Sequence, residues 1–145
     1  MGEPSAVQDF LDAYRRAFEA FDVPALVDLF SCPCQITSDA DRVVVTDVPS
    51  RDAWIPQIER LVAAYRAIGV RSAEVLELHV DELTPRLAQA TARWRLVDGD
   101  GQPLYEFDAS YTLGDLGEGM RITAIAHNET PRLRARIEAR EERRV

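Results

Sequence analysis

Lysine is absent: all 17 basic residues are arginines. No side-chain amine is therefore available for Schiff-base chemistry, which removes one class of covalent catalysis. Positive charge is short in general. The 25 acidic residues leave a formal net charge of −8, the wrong sign for a surface that must displace counterions from phosphates, so no nucleic-acid partner is expected. Only two cysteines occur, Cys32 and Cys34, on either side of Pro33. Neighbours this close rarely reach disulfide geometry, and a pair of thiols without further ligands is not a zinc site. They read as small, partly buried thiols in a reducing compartment. No run of about 18 apolar residues exists to span a bilayer, and the opening MGEPSAVQDF has neither the basic segment nor the apolar core of a secretory signal. Repeats and low-complexity tracts are missing too. The expectation is a cytoplasmic chain with no membrane partner, no metal and no cofactor.

At 145 residues the chain is long enough for one domain with a proper core and too short for two ordinary ones. Residues 1–145 are read as a single domain, with a core over 6–129 and a charged C-terminal helix or tail over 130–145. Pro4 and Ser5 precede Val7, Phe10, Leu11, Tyr14, Phe18 and Phe21, which recur at steps of three and four and predict an amphipathic helix. Asp22 and Pro24 then open a short second helix with Leu26, Val27, Leu29 and Phe30 on its buried side. Residues 34–38 and 42–46 predict a small hairpin turned at Asp39-Ala40-Asp41. Ser50 caps a third helix, carrying Trp54, Ile58, Val62 and Tyr65 and ended by Gly69. A strand over 70–83 follows, its two faces poorly distinguished. After Thr130 and Pro131 the chain closes on a charged helix in which only Leu133 and Ile137 form an apolar pair; its far end is expected to be frayed and solvated.

The stretch from Leu87 to Glu129 carries the strongest pattern. It predicts three antiparallel strands that alternate apolar and polar residues, the mark of a sheet with two unlike faces. Trp94, Phe107, Ala109 and Tyr111 fall on one side; Arg93, Arg95, Glu106 and Asp108 fall on the other. A two-residue loop within Asp98-Gly99-Asp100-Gly101 would set Trp94 beside Tyr105 or Phe107 and Arg93 opposite Glu106 or Asp108. Helices and strands segregated in this order predict an α+β fold with helices packed on one face of a curved sheet.

The element order, together with VQDFLDAYRRAFEAFDVPALVDLF and the closing WRLVDGDGQPL, SYTL and MRITAIAHNE segments, resembles the nuclear transport factor 2-like superfamily, in particular its SnoaL-like and ketosteroid-isomerase-like members. The resemblance covers roughly residues 6 to 129. It implies a cone-shaped fold, a strongly curved antiparallel sheet wrapped around the N-terminal helices and the third helix, with a small, mostly apolar ligand in the open end. It also implies a homodimer through the outer sheet face. Ketosteroid isomerases pair a helix-1 tyrosine and a protonated acid as an oxyanion hole with an aspartate base. Tyr14 matches the tyrosine. Ser38 stands where the base should be, with Asp39 one residue away and facing the other side, and Ala109 stands where the protonated acid should be. A serine cannot replace a carboxylate base without an activating partner, so ketosteroid isomerisation is disfavoured.

Tyr14 and His127 are the candidate catalytic or polar contacts; Phe18, Ser38, Trp54, Ile58, Trp94, Phe107, Ala109, Tyr111 and Ile125 are the expected pocket lining. The resemblance turns Ile125 and His127 inward. Alternation alone leaves this open, because Met120, Ile122, Ala124 and Ala126 form an equally apolar opposite face, and a bulge at Gly117 or Gly119 would set the phase. Arg93, Arg95, Glu106 and Asp108 read as cross-strand ion pairs, and His79 with Glu77 and Asp81 as a solvated face rather than a metal site. The resulting expectation is a protein that binds a small apolar or aromatic molecule. If catalytic, it would move protons, as in isomerisation, cyclisation or dehydration; the competing expectation is a non-catalytic module whose cavity is filled by its own side chains.

Overall fold

Over residues 6–143, which the computed structural model describes, the stripe at the start folds as helix α1 (Ala6–Glu19) and buries Val7, Phe10, Leu11 and Tyr14. Pro4 and Ser5 lie outside the described residues. Phe21 falls beyond the helix, at a positive φ of 53°. Helix α2 (Val23–Val27) is capped by Asp22, whose carboxylate accepts the Ala25 N–H at 3.2 Å. It ends before Leu29 and Phe30, which the spacing had placed on it. Phe30 instead opens strand β1 (Phe30–Asp39) and stacks on Trp54 with ring centroids 4.2 Å apart. The backbone explains the early stop, because the Leu29 carbonyl accepts the Ile122 N–H at 2.8 Å and so starts sheet pairing there.

Strand β2 (Val43–Val48) completes the hairpin. Helix α3 (Arg51–Ile68) starts where the Ser50 hydroxyl accepts the Ala53 N–H, and it stops at Gly69, whose φ of 85° is a left-handed cap that a side chain would strain. Strands β3 (Val70–Thr84), β4 (Leu87–Asp98), β5 (Pro103–Asp115) and β6 (Met120–His127) follow, then helix α4 (Thr130–Arg143). The sheet order is β2-β1-β6-β5-β4-β3, with β1 and β6 parallel and the other neighbours antiparallel. This is an α+β fold: four helices and a six-stranded, curved, unclosed sheet, with α1 and α3 against its inner face.

Trp94 pairs with Phe107 and Arg93 with Asp108, as the alternation requires. The loop between them is longer than two residues. The Asp98 carboxylate accepts the N–H groups of Asp100 and Gln102, both at 2.9 Å, and Gly101 takes φ 79°, so the turn spans residues 99–102. The blurred faces of β3 have a physical cause as well: its pairing with β4 shifts register between Val70 and Ser72, Val75 and Glu77, and Glu82 and Thr84. Each shift exchanges inside and outside, which erases a simple period of two.

The same device decides β6. Leu113 pairs with Ile122 while Thr112 pairs with Ala124, which leaves Thr123 as the extra residue. The bulge lies inside the strand, not at Gly117 or Gly119. It lets Ile122 (0% exposed) and Ile125 both turn inward although they differ by an odd number of positions. Finally, α4 remains helical to Arg143 instead of fraying after its first turn; Leu133 and Ile137 pack it against the core.

Candidate functional site

Inside the curve of the sheet lies a cavity of about 300 Å³, walled by α1 and α3 on one side and by residues from all six strands on the other. Eight aromatic side chains line it: Tyr14, Phe18, Phe30, Trp54, Tyr65, Trp94, Phe107 and Tyr111. Around Tyr14 the contacts are edge-on. Tyr14 meets Phe18 at 4.9 Å, Phe30 at 6.0 Å and Tyr111 at 5.7 Å between ring centroids, the arrangement that sets a positive ring edge against a negative face. Arg15 and Glu19 also line the cavity, from α1. The two form an ion pair at 2.9 Å, Arg15 also binds Asp12 at 2.9 Å, and Glu19 accepts the Ala73 N–H at 3.0 Å.

The polar end is built where β6 runs into α4. Glu129 is 7% exposed, yet it lines the cavity. The buried Tyr65 hydroxyl donates a short hydrogen bond to its Oε2, and the Tyr105 hydroxyl donates to the same oxygen at 2.8 Å. Among the described residues no side chain or backbone group donates to Oε1. Burial raises the Glu129 carboxyl above the ordinary range, and the two hydroxyls only partly offset it. Next to it, the His127 Nδ1 accepts the Glu129 N–H at 3.1 Å, which puts the ring proton on Nε2. Burial lowers the His127 pKa, so the imidazole is held neutral. A second polar chain crosses the inner wall: Trp94 Nε1 donates to the Tyr111 hydroxyl at 2.9 Å, and that hydroxyl interacts with the one on Tyr14. All four tyrosines near the site are pushed upward, chiefly by burial, and remain hydrogen-bond donors at neutral pH.

A family model matches most of this chain. The model, described as NTF2-like protein (DUF6841), covers residues 3–130. The chain belongs to this NTF2-like family. Among solved structures, an NTF2-like protein of unknown function from Pseudomonas putida KT2440 aligns with a TM-score of 0.68 at 15% identity, covering 86% of this chain and 84% of the other. A second of unknown function, from Shewanella oneidensis MR-1, gives 0.65 at 12% identity over 85% and 96%. An NTF2-like protein with a cystatin-like fold from Novosphingobium aromaticivorans gives 0.67 at 14% identity over 85% and 79%. At these identities the likeness is one of fold. No curated protein matches the chain.

Within this NTF2-like frame the residues singled out from the sequence fall as follows. Tyr14, Phe18, Ser38, Trp54, Ile58, Trp94, Phe107, Tyr111, Ile125 and His127 all line the cavity. Ala109 is the exception. It is buried on the same face, paired with Ala92 and His127, but its methyl group is too short to reach past Phe107 and Tyr111. His127 sits at the rim, lining both the cavity and a shallow outer depression with Ala109 and Asp108.

Sequence reasoning missed Glu129 and its two tyrosines. The signal was present: if His127 faces inward, a residue two positions on can share its side. Glu129 stands directly before helix α4, and its carbonyl accepts the Leu133 N–H at 3.0 Å. The helix α4 that it starts also supplies Leu133 to the cavity wall.

On the outer face Arg93 donates to Glu106 and Asp108, both at 3.2 Å, and Arg95 to Glu106 at 2.9 Å. Glu106 is held below the usual carboxylate range by these guanidinium groups. Cys32 is exposed, contrary to its expected partial burial, because the outward side of the β1 irregularity carries it; Cys34 is buried and donates to the Ile122 carbonyl at 3.6 Å. Among the described residues no cluster of His, Cys, Asp or Glu is arranged to hold a metal ion, and no helix is long and apolar enough to cross a membrane.

Proposed function

We propose that this NTF2-like protein binds a small, largely aromatic molecule in the cavity inside its curved sheet. The observation that carries the reading is the combination of open space and convergent polarity. Some 300 Å³ remain unfilled between Trp54, Trp94 and Phe107, the residues that would plug a purely structural module, while Glu129, His127, Tyr14 and Ser38 reach the same space. The volume is about twice the roughly 150 Å³ that admits benzene in an engineered cavity, which suits a two-ring compound better than a steroid. A thermal-shift screen of small aromatic and steroid-like compounds tests this. Two-ring compounds should raise the melting temperature, by the equivalent of about 2.7 kcal/mol at a hundredfold excess over Kd, and Tyr14→Phe should weaken those whose oxygen it contacts. If no compound raises it, the binding reading fails.

A catalytic extension is favoured by one further observation, the raised carboxyl of Glu129 in a largely apolar enclosure. Such a group suits cofactor-independent proton transfer of the isomerase or lyase type. Its Oε1 would take a proton from a substrate atom and return it to another, with a tyrosine hydroxyl stabilising the charge that develops on substrate oxygen. Incubating each bound compound with the protein in deuterium oxide tests this, since wild type should exchange a C–H proton and Glu129→Gln should not. Equal exchange by both would remove Glu129 from the chemistry. The partner reading is a homodimer through the outer sheet face, where Arg93, Arg95, Glu106 and Asp108 form a half-buried ladder of ion pairs.

A further inference from the structure

The charge inside the cavity is unbalanced. Two carboxyl groups line it, Glu19 and Glu129, against one guanidinium, Arg15. Arg15 is already committed, with Asp12 and Glu19 each at 2.9 Å. Glu129 therefore has no cationic partner among the described residues, and the histidine beside it is neutral. A buried carboxyl with no counter-charge is costly unless something compensates for it. Tyr65 and Tyr105 compensate half of it, since both donate to Oε2. The lone pairs of Oε1 remain for a donor that the cavity does not itself provide.

The rest of the lining has the matching character. Eight aromatic side chains surround the space, and the faces of aromatic rings attract a cation within about 6 Å of their centroids. Donors that could meet an anion also line the cavity, among them Ser38, Gln57 and the His127 Nε2–H, but the one guanidinium there is spent on Asp12 and Glu19, and the hydroxyls of Tyr65 and Tyr105 are taken up by Glu129. We propose that the cavity takes an organic cation, a protonated amine on a one- or two-ring aromatic body, with its nitrogen on Oε1 of Glu129 and its rings against the aromatic wall. The proposal rests on the cavity being a ligand site and does not depend on catalysis.

Matched compounds on two frameworks test it by isothermal titration near neutral pH. Tryptamine, tryptophol and indole-3-acetate share one body and end in a cation, a neutral hydroxyl and an anion; 2-phenylethylamine, 2-phenylethanol and phenylacetate do the same on one ring. The amine of at least one framework should bind about tenfold or more tightly than its alcohol, as expected for a charge-assisted hydrogen bond, and the acid should bind most weakly. Glu129→Gln keeps a carbonyl for both tyrosines and puts a neutral NH2 donor where Oε1 stood, so it should abolish the preference of amine over alcohol, while the alcohol, whose oxygen can accept as well as donate, should stay within about threefold of its wild-type affinity. Alcohols or acids binding as well as the amines overturn the proposal, and so does a preference that survives in Glu129→Gln. Should none of the six bind while compounds from the thermal-shift screen do, the cationic ligand is refuted and the binding site stands. If nothing in either set binds, the site itself is refuted, and the proposal with it.

Discussion

Replacing Glu129 by leucine and by glutamine separates two contributions held in one side chain. Leucine removes the acceptor of the Tyr65 hydroxyl, on a residue only 5% exposed, and of the partly exposed Tyr105 hydroxyl. An orphaned buried donor costs about 1–3 kcal/mol, whereas the Tyr105 hydroxyl can turn to water, so a net loss of about 2 kcal/mol is expected at pH 5. Glutamine keeps a carbonyl in the same place and should stay within about 1 kcal/mol of wild type at that pH. The pH dependence then carries the sharper test. Burial holds the folded-state pKa of Glu129 above its unfolded value, so the folded chain binds this proton more tightly. That contribution is fully present below the unfolded pKa and is lost as pH rises through the folded one, at about 1.4 kcal/mol per unit of difference. Glutamine has no such proton. Urea denaturation of both proteins at pH 5, 6.5 and 8 should therefore show wild type losing stability relative to Glu129→Gln as pH rises, with all other titrations cancelling in the difference. A constant difference, or one that moves in favour of wild type, would refute the picture of a destabilised buried carboxyl.

Further outcomes follow from other parts of the molecule. Tyr111→Phe strips the acceptor from Trp94 Nε1 inside the core and should cost about 2 kcal/mol, a fall in melting temperature of about 6 °C for a chain of this size, without altering far-UV dichroism. Alkylation at pH 8 should label the exposed Cys32 alone in the native protein and both thiols after unfolding, because Cys34 is buried and its thiol is pushed up to about 11; rapid native labelling of Cys34 would contradict that burial. Light scattering at micromolar concentration should give twice the 16.3 kDa chain mass, and a monomer mass would end the homodimer reading.

Much of the architecture was legible in the chain because it depends on local pattern. The stripe through Phe10, Leu11 and Tyr14 specifies an amphipathic helix whatever it packs against, Ser50 and Gly69 mark the ends of α3 by their own hydrogen bonding and backbone freedom, and the alternation through Trp94 and Phe107 sets one register. The misplaced boundaries are those that sheet pairing overrides. Phe30 has helical spacing, but its neighbour's carbonyl is claimed by Ile122 across 93 positions of chain, a contact that no local window contains.

Taken by itself, then, the sequence determined the fold class, the inner and outer faces of the central strands, and the cluster of aromatics that a concave sheet would gather. These follow from periods of 3.6 and 2 and from the burial of apolar area. Only the tertiary structure decided where the chemistry sits. The bulge at Thr123 turns Ile125 inward along with Ile122, and the break from β6 into α4 buries Glu129 between tyrosines that stand 64 and 24 positions away in the chain. An acid with no signal of its own in the sequence becomes a perturbed carboxyl because its pKa is set by which distant groups surround it.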